Sequence, residues 1–296
     1  MEKFPIRRIH KEEYPPLLRE IPDSPHEMFV RGAIPDVAYL AVVGSRRMTR
    51  DGKRALSYLI NGCANAPFGI VSGLALGIDG LAHMLAVKNH LPTIGVLGSG
   101  VSDHAISPRR HIPLAHSILE SGGAILSEYA PDEPGYSSHY PERNRIIAGI
   151  APAILVAEAD DKSGALITAF LALEYNRDVA VVPQSIFHPN GKGIHRLLKR
   201  GAIPITEPND LFALMNVPTR AHQPALLLTD DERKLLACFH EKSLFLDDIC
   251  TSLAITVAQA MMLMTPLLQR NILLRERDGS YALTAPPDNN ISTPPV

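Results

Sequence analysis

The chain has 296 residues, of which 46% are hydrophobic and 20% are charged, with 29 basic and 31 acidic side chains. This length suits one large domain and a smaller one, and the hydrophobic content excludes an intrinsically disordered protein. The formal net charge of −2 excludes nucleic-acid binding through overall basicity, so such binding would need a local basic patch.

The first 36 residues are rich in proline and charge, and we expect them to form a helical or irregular lead-in segment. Short apolar runs then predict buried strands at Val37–Val43, Gly69–Val71, Thr93–Leu97, Ala124–Leu126, Ala153–Val156 and Val179–Val182. Segments with helical spacing lie between them, at Gly52–Cys63, Ile78–Asn89, Ile112–Ser121 and Leu166–Asn176. This alternation predicts a doubly wound α/β domain with a parallel sheet over residues 37–215.

The last part of the chain has a different pattern, beginning after a proline-containing linker at residues 216–225. Further helices are predicted at Asp230–His240, Leu246–Leu253 and Ala258–Gln269. Thr229 and Glu232 have the spacing of a capping box, and Asp278–Gly279 is a hairpin signal. We therefore predict a small winged-helix domain over residues 226–285, followed by a disordered tail at 286–296.

Three glycine turns follow successive predicted strands. Gly44, Ser45 and Arg46 form the first, Gly73 belongs to the second, and Gly98–Gly100 form the third. Glycine allows the backbone to approach a ligand, and a following helix N-terminus favours phosphate. Because parallel strands end at one edge of the sheet, these turns predict a phosphate-lined crevice there.

The segment Pro141–Gly149 places Arg143, Asn144 and Arg145 at the start of a predicted helix. Two positions apart on a helix, the two arginines cannot share a face. One of them is a candidate ligand contact, and the other can instead pair internally with a carboxylate such as Glu158.

Catalytic groups are harder to assemble from this sequence. The 12 histidines form no HExxH motif, and no GxSxG motif supplies a nucleophile. Asp79 and His83 could share a helix face, but a dipole partner and a packed histidine explain them more simply. We therefore expect a protein that is not an enzyme and that holds no metal and no cofactor.

The cysteines and the apolar runs indicate where such a protein works. Three widely separated cysteines form no CxxC pair, which is typical of reduced thiols in a cytosolic protein. The first residues contain no apolar signal region, and no run reaches the roughly 18 apolar residues of a membrane helix. We expect a cytoplasmic protein without a membrane partner.

Several short motifs, each weak alone, occur together in one order. They lie at Tyr14–Leu18, Gly44–Arg46, Ser72–Asp79, Ala82–His83, Leu126–Tyr129, Arg143–Gly149, Glu158–Ala159, Ser163–Ala169 and Gly201–Ala202. In order and spacing they resemble the DNA-processing protein A (DprA, also called Smf) family over about two hundred residues.

This resemblance implies an extended Rossmann-like domain that binds single-stranded DNA without sequence preference. It also implies a homodimer that loads the RecA recombinase onto single strands during natural transformation. The candidate DNA-binding residues, carried over by position, are Gly44, Ser45, Arg46, Gly73, Arg109, Arg143, Asn144 and Arg145. Whether Arg143 or Arg145 touches DNA is left open.

Two other hypotheses for the function of this sequence come from different classes of protein. One is a Rossmann-like enzyme that binds or hydrolyses nucleotides, but the PGGxGTxxE loop of such enzymes is missing. The other is a winged-helix transcription regulator. From residue 226 on, however, the chain carries six basic and nine acidic residues, and the last predicted helix has no charge.

Overall fold

The computed structural model describes residues 4–188, 190–218, 229–239, 243–269, 272–276 and 278–283. The chain divides into two compact units, Met1–Thr219 and Arg220–Val296. The strands of the first unit are β1 (Ile6–His10), β2 (Glu27–Gly32), β3 (Ala38–Gly44), β4 (Phe68–Ser72), β5 (Thr93–Val96), β6 (Ala124–Ser127), β7 (Ala153–Glu158), β8 (Asp178–Val181) and β9 (Ile203–Pro204).

Eight α-helices are described in this unit. They are α1 (Pro16–Glu20), α2 (Arg50–Asn61), α3 (Ile78–Lys88), α4 (Ile112–Glu120), α5 (His139–Ile150), α6 (Gly164–Glu174), α7 (Lys192–Leu198) and α8 (Pro208–Leu214). Residues Arg109–His111 form a single 3-10 turn before α4. Thr49 is the N-cap residue of helix α2, and its hydroxyl accepts a hydrogen bond from the Gly52 N–H at 3.1 Å.

The described strands form one sheet in the order β1-β2-β6-β5-β4-β3-β7-β8-β9. Counted in this spatial order, every neighbouring pair of strands from β6 across the sheet to β9 is parallel, as the apolar runs predict. Successive strands proceed outward from β3 to β6, and the chain then returns to place β7 on the other side of β3. Between β3 and β7 the winding direction reverses, and open α/β sheets bind ligands at such a point.

Both faces of the sheet are covered by helices. On β3, Leu40 and Val42 pack into the cluster formed with α2, α3 and α8, while Ala41 and Val43 pack into the cluster formed with α1, α5 and α6. A strand buried on both faces needs apolar residues at every position, which is why these strands appear as continuous apolar runs. The α/β fold with a mostly parallel sheet is confirmed.

The interpretation of residues 1–36 as a helical or irregular lead-in is wrong in part, because the segment contains helix α1 but also two strands. Strands β1 and β2 lie in this segment, pair with each other in antiparallel fashion, and extend the sheet through an antiparallel pairing of β2 with β6. The outermost strand β1 exposes both arginines of its sequence IRRIH. An edge strand with polar exposed positions lacks the continuous apolar run that identified the buried strands.

The second unit contains α9 (Asp230–Ala237), α10 (Leu246–Leu253), α11 (Val257–Gln269) and a hairpin of β10 (Leu273–Arg275) with β11 (Tyr281–Leu283). The predicted capping box is present, with Thr229 N–H donating to Glu232 Oε2 at 2.8 Å and Glu232 N–H donating to Thr229 Oγ1 at 3.2 Å. Helices and hairpin agree with the sequence, and their assignment to the winged-helix class stays a prediction. The end of the predicted first helix, most of the predicted linker and the predicted tail lie outside the described residues.

A membrane-spanning helix needs about 18 or more predominantly apolar residues, and the described helices differ from that requirement. None of them is long and apolar enough on its own, although α10 and α11, bent by 109° at their junction, meet it as a pair.

Candidate functional site

A cavity of about 610 Å³ lies at the point where the sheet reverses its winding. Its walls come from the turn after β3, the start of α5, the loop between β7 and α6, and Asn190 after β8. Its volume lies within the range of small-molecule sites and is also sufficient for part of a polymer. The position agrees with the crevice predicted from the glycine turns.

The turn after β3 is held on both sides by backbone hydrogen bonds. The Ser45 N–H donates to the Glu158 carbonyl at 2.8 Å, and the Ser45 carbonyl accepts from the Ile78 N–H at 3.1 Å. Gly77 has a φ of +83°, and a Cβ placed there would lie 2.2 Å from the Ser45 carbonyl oxygen. The turn is therefore a rigid platform, closely packed against the start of α3.

Arg46 projects from this platform into solvent at the cavity wall. Its guanidinium carbon lies 5.4 Å from the centre of the Tyr140 ring, which belongs to α5 and also lines the cavity. The pair offers a charge and an aromatic surface side by side. Tyr140 is a residue that the sequence analysis missed, because nothing local to it indicates that α5 faces Arg46.

Arg143 lies beneath the cavity and is buried, with 4% of its surface exposed. Its Nη1 donates to the Gly73 carbonyl at 2.9 Å and to the Val96 carbonyl, and its Nε donates to Asn144 Oδ1 at 3.3 Å. Burial lowers the pKa of Arg143 to about 10, against the opposing effect of Asp79, so the group remains charged at neutral pH. Arg143 thus ties together the carboxyl ends of β4 and β5 at the cavity floor.

Asp79 completes this buried charge arrangement. Burial raises its pKa, while the Arg143 guanidinium and the Gly73 N–H, which donates to Oδ2 at 3.2 Å, partly oppose that rise. A Cβ on Gly73 would lie 2.7 Å from both Arg143 Nη2 and Asp79 Oδ2. The structure therefore gives Gly73 a packing role, since it admits these two side chains and does not itself line the cavity.

Arg145 points away from the cavity. Its Nη2 donates to both carboxylate oxygens of Glu128, at 2.6 and 2.8 Å, and its Nε lies 3.5 Å from Asp23. The prediction that one arginine of the motif pairs internally is confirmed for Arg145. The prediction of Glu158 as its partner is wrong, because the side of α5 that carries Arg145 faces the end of β6, where Glu128 lies.

Glu158 instead joins two walls of the cavity. This fully buried carboxylate accepts from Thr49 N–H at 3.0 Å, from Thr49 Oγ1 at 2.8 Å and from Asn190 Nδ2. The Asn190 amide also donates to the Arg47 carbonyl at 3.2 Å. No local sequence signal reveals this network, since Glu158 is 109 positions from Thr49 and 32 from Asn190.

The N-terminus of α6 supplies a further polar wall. Ser163 is the N-cap residue and accepts from the Ala165 N–H at 3.3 Å, and the space around the Gly164 Cα is open. Both residues line the cavity, as does Asn144, which follows Arg143 on α5. Unpaired N–H groups and the helix dipole make such a terminus attractive to anions.

Besides Gly73 and Arg145, two further sequence candidates lie outside the cavity wall. Arg109 is exposed in the 3-10 turn before α4 and does not line the cavity. The third glycine turn is covered, because Tyr140 packs against Gly98, and the carbonyls of Ala130 and Pro131 pack against Gly100. The crevice is therefore formed by the first turn, Ala75 and Asp79 of the second turn, α5, the start of α6 and Asn190. In the part of the chain that the structure describes, no cluster of three or more metal-ligating side chains occurs.

The sequence and the fold were compared with known proteins. The family described as DNA recombination-mediator protein A matches residues 6–216. Protein Smf of Escherichia coli is 44% identical over 203 residues, which cover 68% of this chain and 54% of that protein. DNA processing protein DprA of Streptococcus pneumoniae is 39% identical over 214 residues, covering 72% and 74%. The chain thus spans about half the length of the Escherichia coli relative and about three quarters of the Streptococcus pneumoniae one.

Solved structures give the same result. The X-ray structure of DprA from Streptococcus pneumoniae superposes with a TM-score of 0.65 at 38% identity, covering 72% of this chain and 74% of the other. DprA from Helicobacter pylori, whose structure is described as showing a unique single-stranded DNA binding mode, superposes with a TM-score of 0.63 at 26% identity, covering 71% and 95%. On these matches, the chain belongs to the DNA recombination-mediator protein A family.

Proposed function

We propose that this protein binds single-stranded DNA without sequence preference in the cavity beside β3, and that it helps to load RecA onto the bound strand. The observation that carries the proposal is the rigid Ser45–Arg47 turn, which presents Arg46 next to the Tyr140 ring at the cavity wall. The Helicobacter pylori relative, described as binding single-stranded DNA, supports the same assignment.

The cavity offers the two kinds of contact that sequence-independent binding of a single strand requires. Arg46 and the N-terminus of α6 can neutralise and hydrogen-bond phosphate, and Tyr140 provides an aromatic surface for a base. The exposed charges on its walls are mainly basic, with Arg46, Arg47 and Lys162 against Asp160. A protein with a net charge of −2 can in this way hold a polyanion locally.

Catalysis is not part of this proposal. Two buried carboxylates at the cavity are engaged within the protein, Asp79 with the Gly73 N–H and Glu158 with Thr49 and Asn190, whereas Asp160 lies exposed on the cavity wall. His83 is fully buried and forms a hydrogen bond with Thr93. We do not favour a nucleotide-hydrolysing enzyme, because Asp160 is a lone exposed carboxylate with no described histidine or second carboxylate bonded to it, and the PGGxGTxxE loop of such enzymes is missing.

The remaining parts of the proposal concern the whole protein. We propose that it acts as a homodimer in the cytoplasm and that the second unit is a winged helix that does not itself bind DNA. The family assignment supports the first statement, and the three helices followed by a hairpin support the second.

Titration of the purified protein against fluorescent poly(dT) and a matching duplex, at about 0.05 and about 0.2 M salt, tests the binding proposal. We expect a clear preference for the single strand. Neutralisation of about three phosphates would give a slope of log K against log salt of about −2. Equal or stronger binding of the duplex, or binding of neither strand, would overturn the proposal.

A further inference from the structure

Phe187 is the most exposed large apolar side chain in the described ranges, with 87% of its surface accessible, and its neighbour Ile186 is 77% exposed. An isolated exposed apolar residue is ordinary, but two adjacent ones at this level of exposure contribute almost nothing to the core. The aromatic content of the chain is only 5%, and it contains no tryptophan, so an exposed phenylalanine is a scarce feature here.

The loop that carries Phe187 is anchored to the cavity wall. His188, the next residue, lies with its Nε2 3.1 Å from Thr49 Oγ1, and Asn190 both lines the cavity and donates to the Arg47 carbonyl at 3.2 Å. These contacts fasten the loop to the turn that presents Arg46. Phe187 therefore immediately precedes a side chain anchored beside the candidate site, although it does not itself line the cavity.

The backbone at Phe187 is also fixed from the other side. Its N–H donates to Ser185 Oγ at 3.3 Å, and the His188 N–H donates to the Ser185 carbonyl at 2.9 Å. A tight turn at Ser185 and the anchors at His188 and Asn190 thus hold the residue between them. Because the backbone of this turn is already hydrogen-bonded, little backbone freedom is lost when a ligand covers the side chain.

We propose that Phe187 is a stacking surface for an unpaired base of the DNA strand that occupies the cavity. This inference rests on the proposed function and adds a second aromatic contact, contributed by the loop after β8 and not by α5, which carries Tyr140. Single-strand binding sites commonly combine a basic groove with aromatic rings, because every base has a π-face and stacking tolerates any sequence. Bases within a duplex are already stacked on each other, so this contact also favours the single strand.

The absence of tryptophan from the chain allows a direct test. Phe187→Trp introduces a single tryptophan at an exposed position, and we expect its fluorescence to be quenched as poly(dT) binds, with affinity retained. Met84→Trp, on the half-exposed surface of α3, is the matched control and should show no change. Quenching at position 187 alone supports the proposal, and equal responses at both positions contradict it.

Binding assays provide the second measurement. Phe187→Ala should raise the Kd for poly(dT) about tenfold, the factor expected for one good stacking contact. On an abasic strand of equal length, wild type and Phe187→Ala should bind alike, because no base is present to stack. If wild type binds poly(dT) and Phe187→Ala binds it equally well, Phe187 has no such role while the proposed function stands. If wild type binds no single strand, the proposed function itself fails.

Discussion

At the scale of single residues, the arginines near the cavity have different roles that their identity does not show. Arg46 is exposed beside Tyr140, Arg143 is buried under the cavity, and Arg145 is paired with Glu128. A guanidinium whose donors already bind protein carbonyls or a carboxylate has few left for a ligand. Of these three arginines, Arg46 is therefore the best placed to contact DNA.

Substitution of Arg46 by alanine should weaken binding of poly(dT) by about 1–3 kcal/mol, because a charge and a stacking plane are lost together. Arg109→Ala removes the same chemical group from an exposed position outside the cavity wall, and it should change the affinity far less. Fluorescence titration of both variants measures the difference. Equal losses would show that the cavity is not the binding site.

The buried imidazole of His83 should make the free energy of unfolding depend on pH. Burial lowers the pKa of His83 from 6.5 to about 3, and the ring is held by Thr93 Oγ1 at 2.8 Å. Between these two pKa values the unfolded chain binds a proton that the folded chain does not. The contribution of His83 is therefore complete above pH 6.5 and decreases as the pH falls, by about 2 kcal/mol at pH 5.

Urea unfolding at pH 7 and pH 5 measures this contribution. The free energy of unfolding of the wild type should decrease toward pH 5, and His83→Gln should show a pH dependence smaller by about 2 kcal/mol. Because Asp79 has a raised pKa and acts in the opposite direction, the comparison with the variant isolates His83. An identical pH dependence in the two proteins would show that His83 is not buried in its neutral form.

At the scale of elements, the site depends on how closely two turns pack against each other. Gly44 contacts Ile78 at the start of α3, and Gly77 faces the Ser45 carbonyl. Neither contact leaves room for a Cβ. Because both positions are glycine, the two turns can pack against each other, and this packing presents Arg46. The arrangement requires no backbone contact between Gly44 or Gly77 and a ligand.

Replacement of Gly77 by alanine should lower the free energy of unfolding by more than about 2 kcal/mol, because the new Cβ meets a carbonyl and φ is +83°. Gly164→Ala is the matched control, since a Cβ there meets no atom within 4 Å. Urea unfolding of both variants is the measurement. A Gly77→Ala variant as stable as Gly164→Ala would contradict the described packing of the turn.

At the scale of the whole molecule, the residues of the candidate site all belong to the first unit, and the family match ends near its boundary. The second unit has its own core, with Leu235, Phe239, Ile249 and Met264 fully or almost fully buried. Helix α11 carries no charged residue, unlike most helices that enter a DNA groove. The proposed single-strand binding is accordingly assigned to the first unit alone.

Two truncated chains test this assignment. Residues 1–219 should bind poly(dT) with an affinity within about threefold of the full chain. Residues 226–285 should not bind duplex DNA at about 0.15 M salt, because acidic residues outnumber basic ones there and phosphate repels them. Tight duplex binding by the second fragment would instead favour the winged-helix regulator.

Local sequence patterns predict those features that a few neighbouring residues produce. Continuous apolar runs located the central strands, the Thr229 and Glu232 spacing located a capping box, and the glycine after β3 located the turn that bears Arg46. Each of these signals lies within a few residues, and the backbone and its neighbouring side chains are sufficient to produce it. The edge strand β1, with its short and polar sequence, has no such signal.

Which of these residues contact each other follows from the tertiary structure. Arg143 lies under the cavity, and Arg145 pairs with Glu128. The third glycine turn is covered by other residues, and Arg109 lies outside the cavity wall. Glu158 accepts hydrogen bonds from Thr49 and Asn190. These contacts depend on the order of strands in the sheet and the rotation of α5 about its axis. Both are set by packing between segments far apart in the chain, and a sequence read locally does not contain that information.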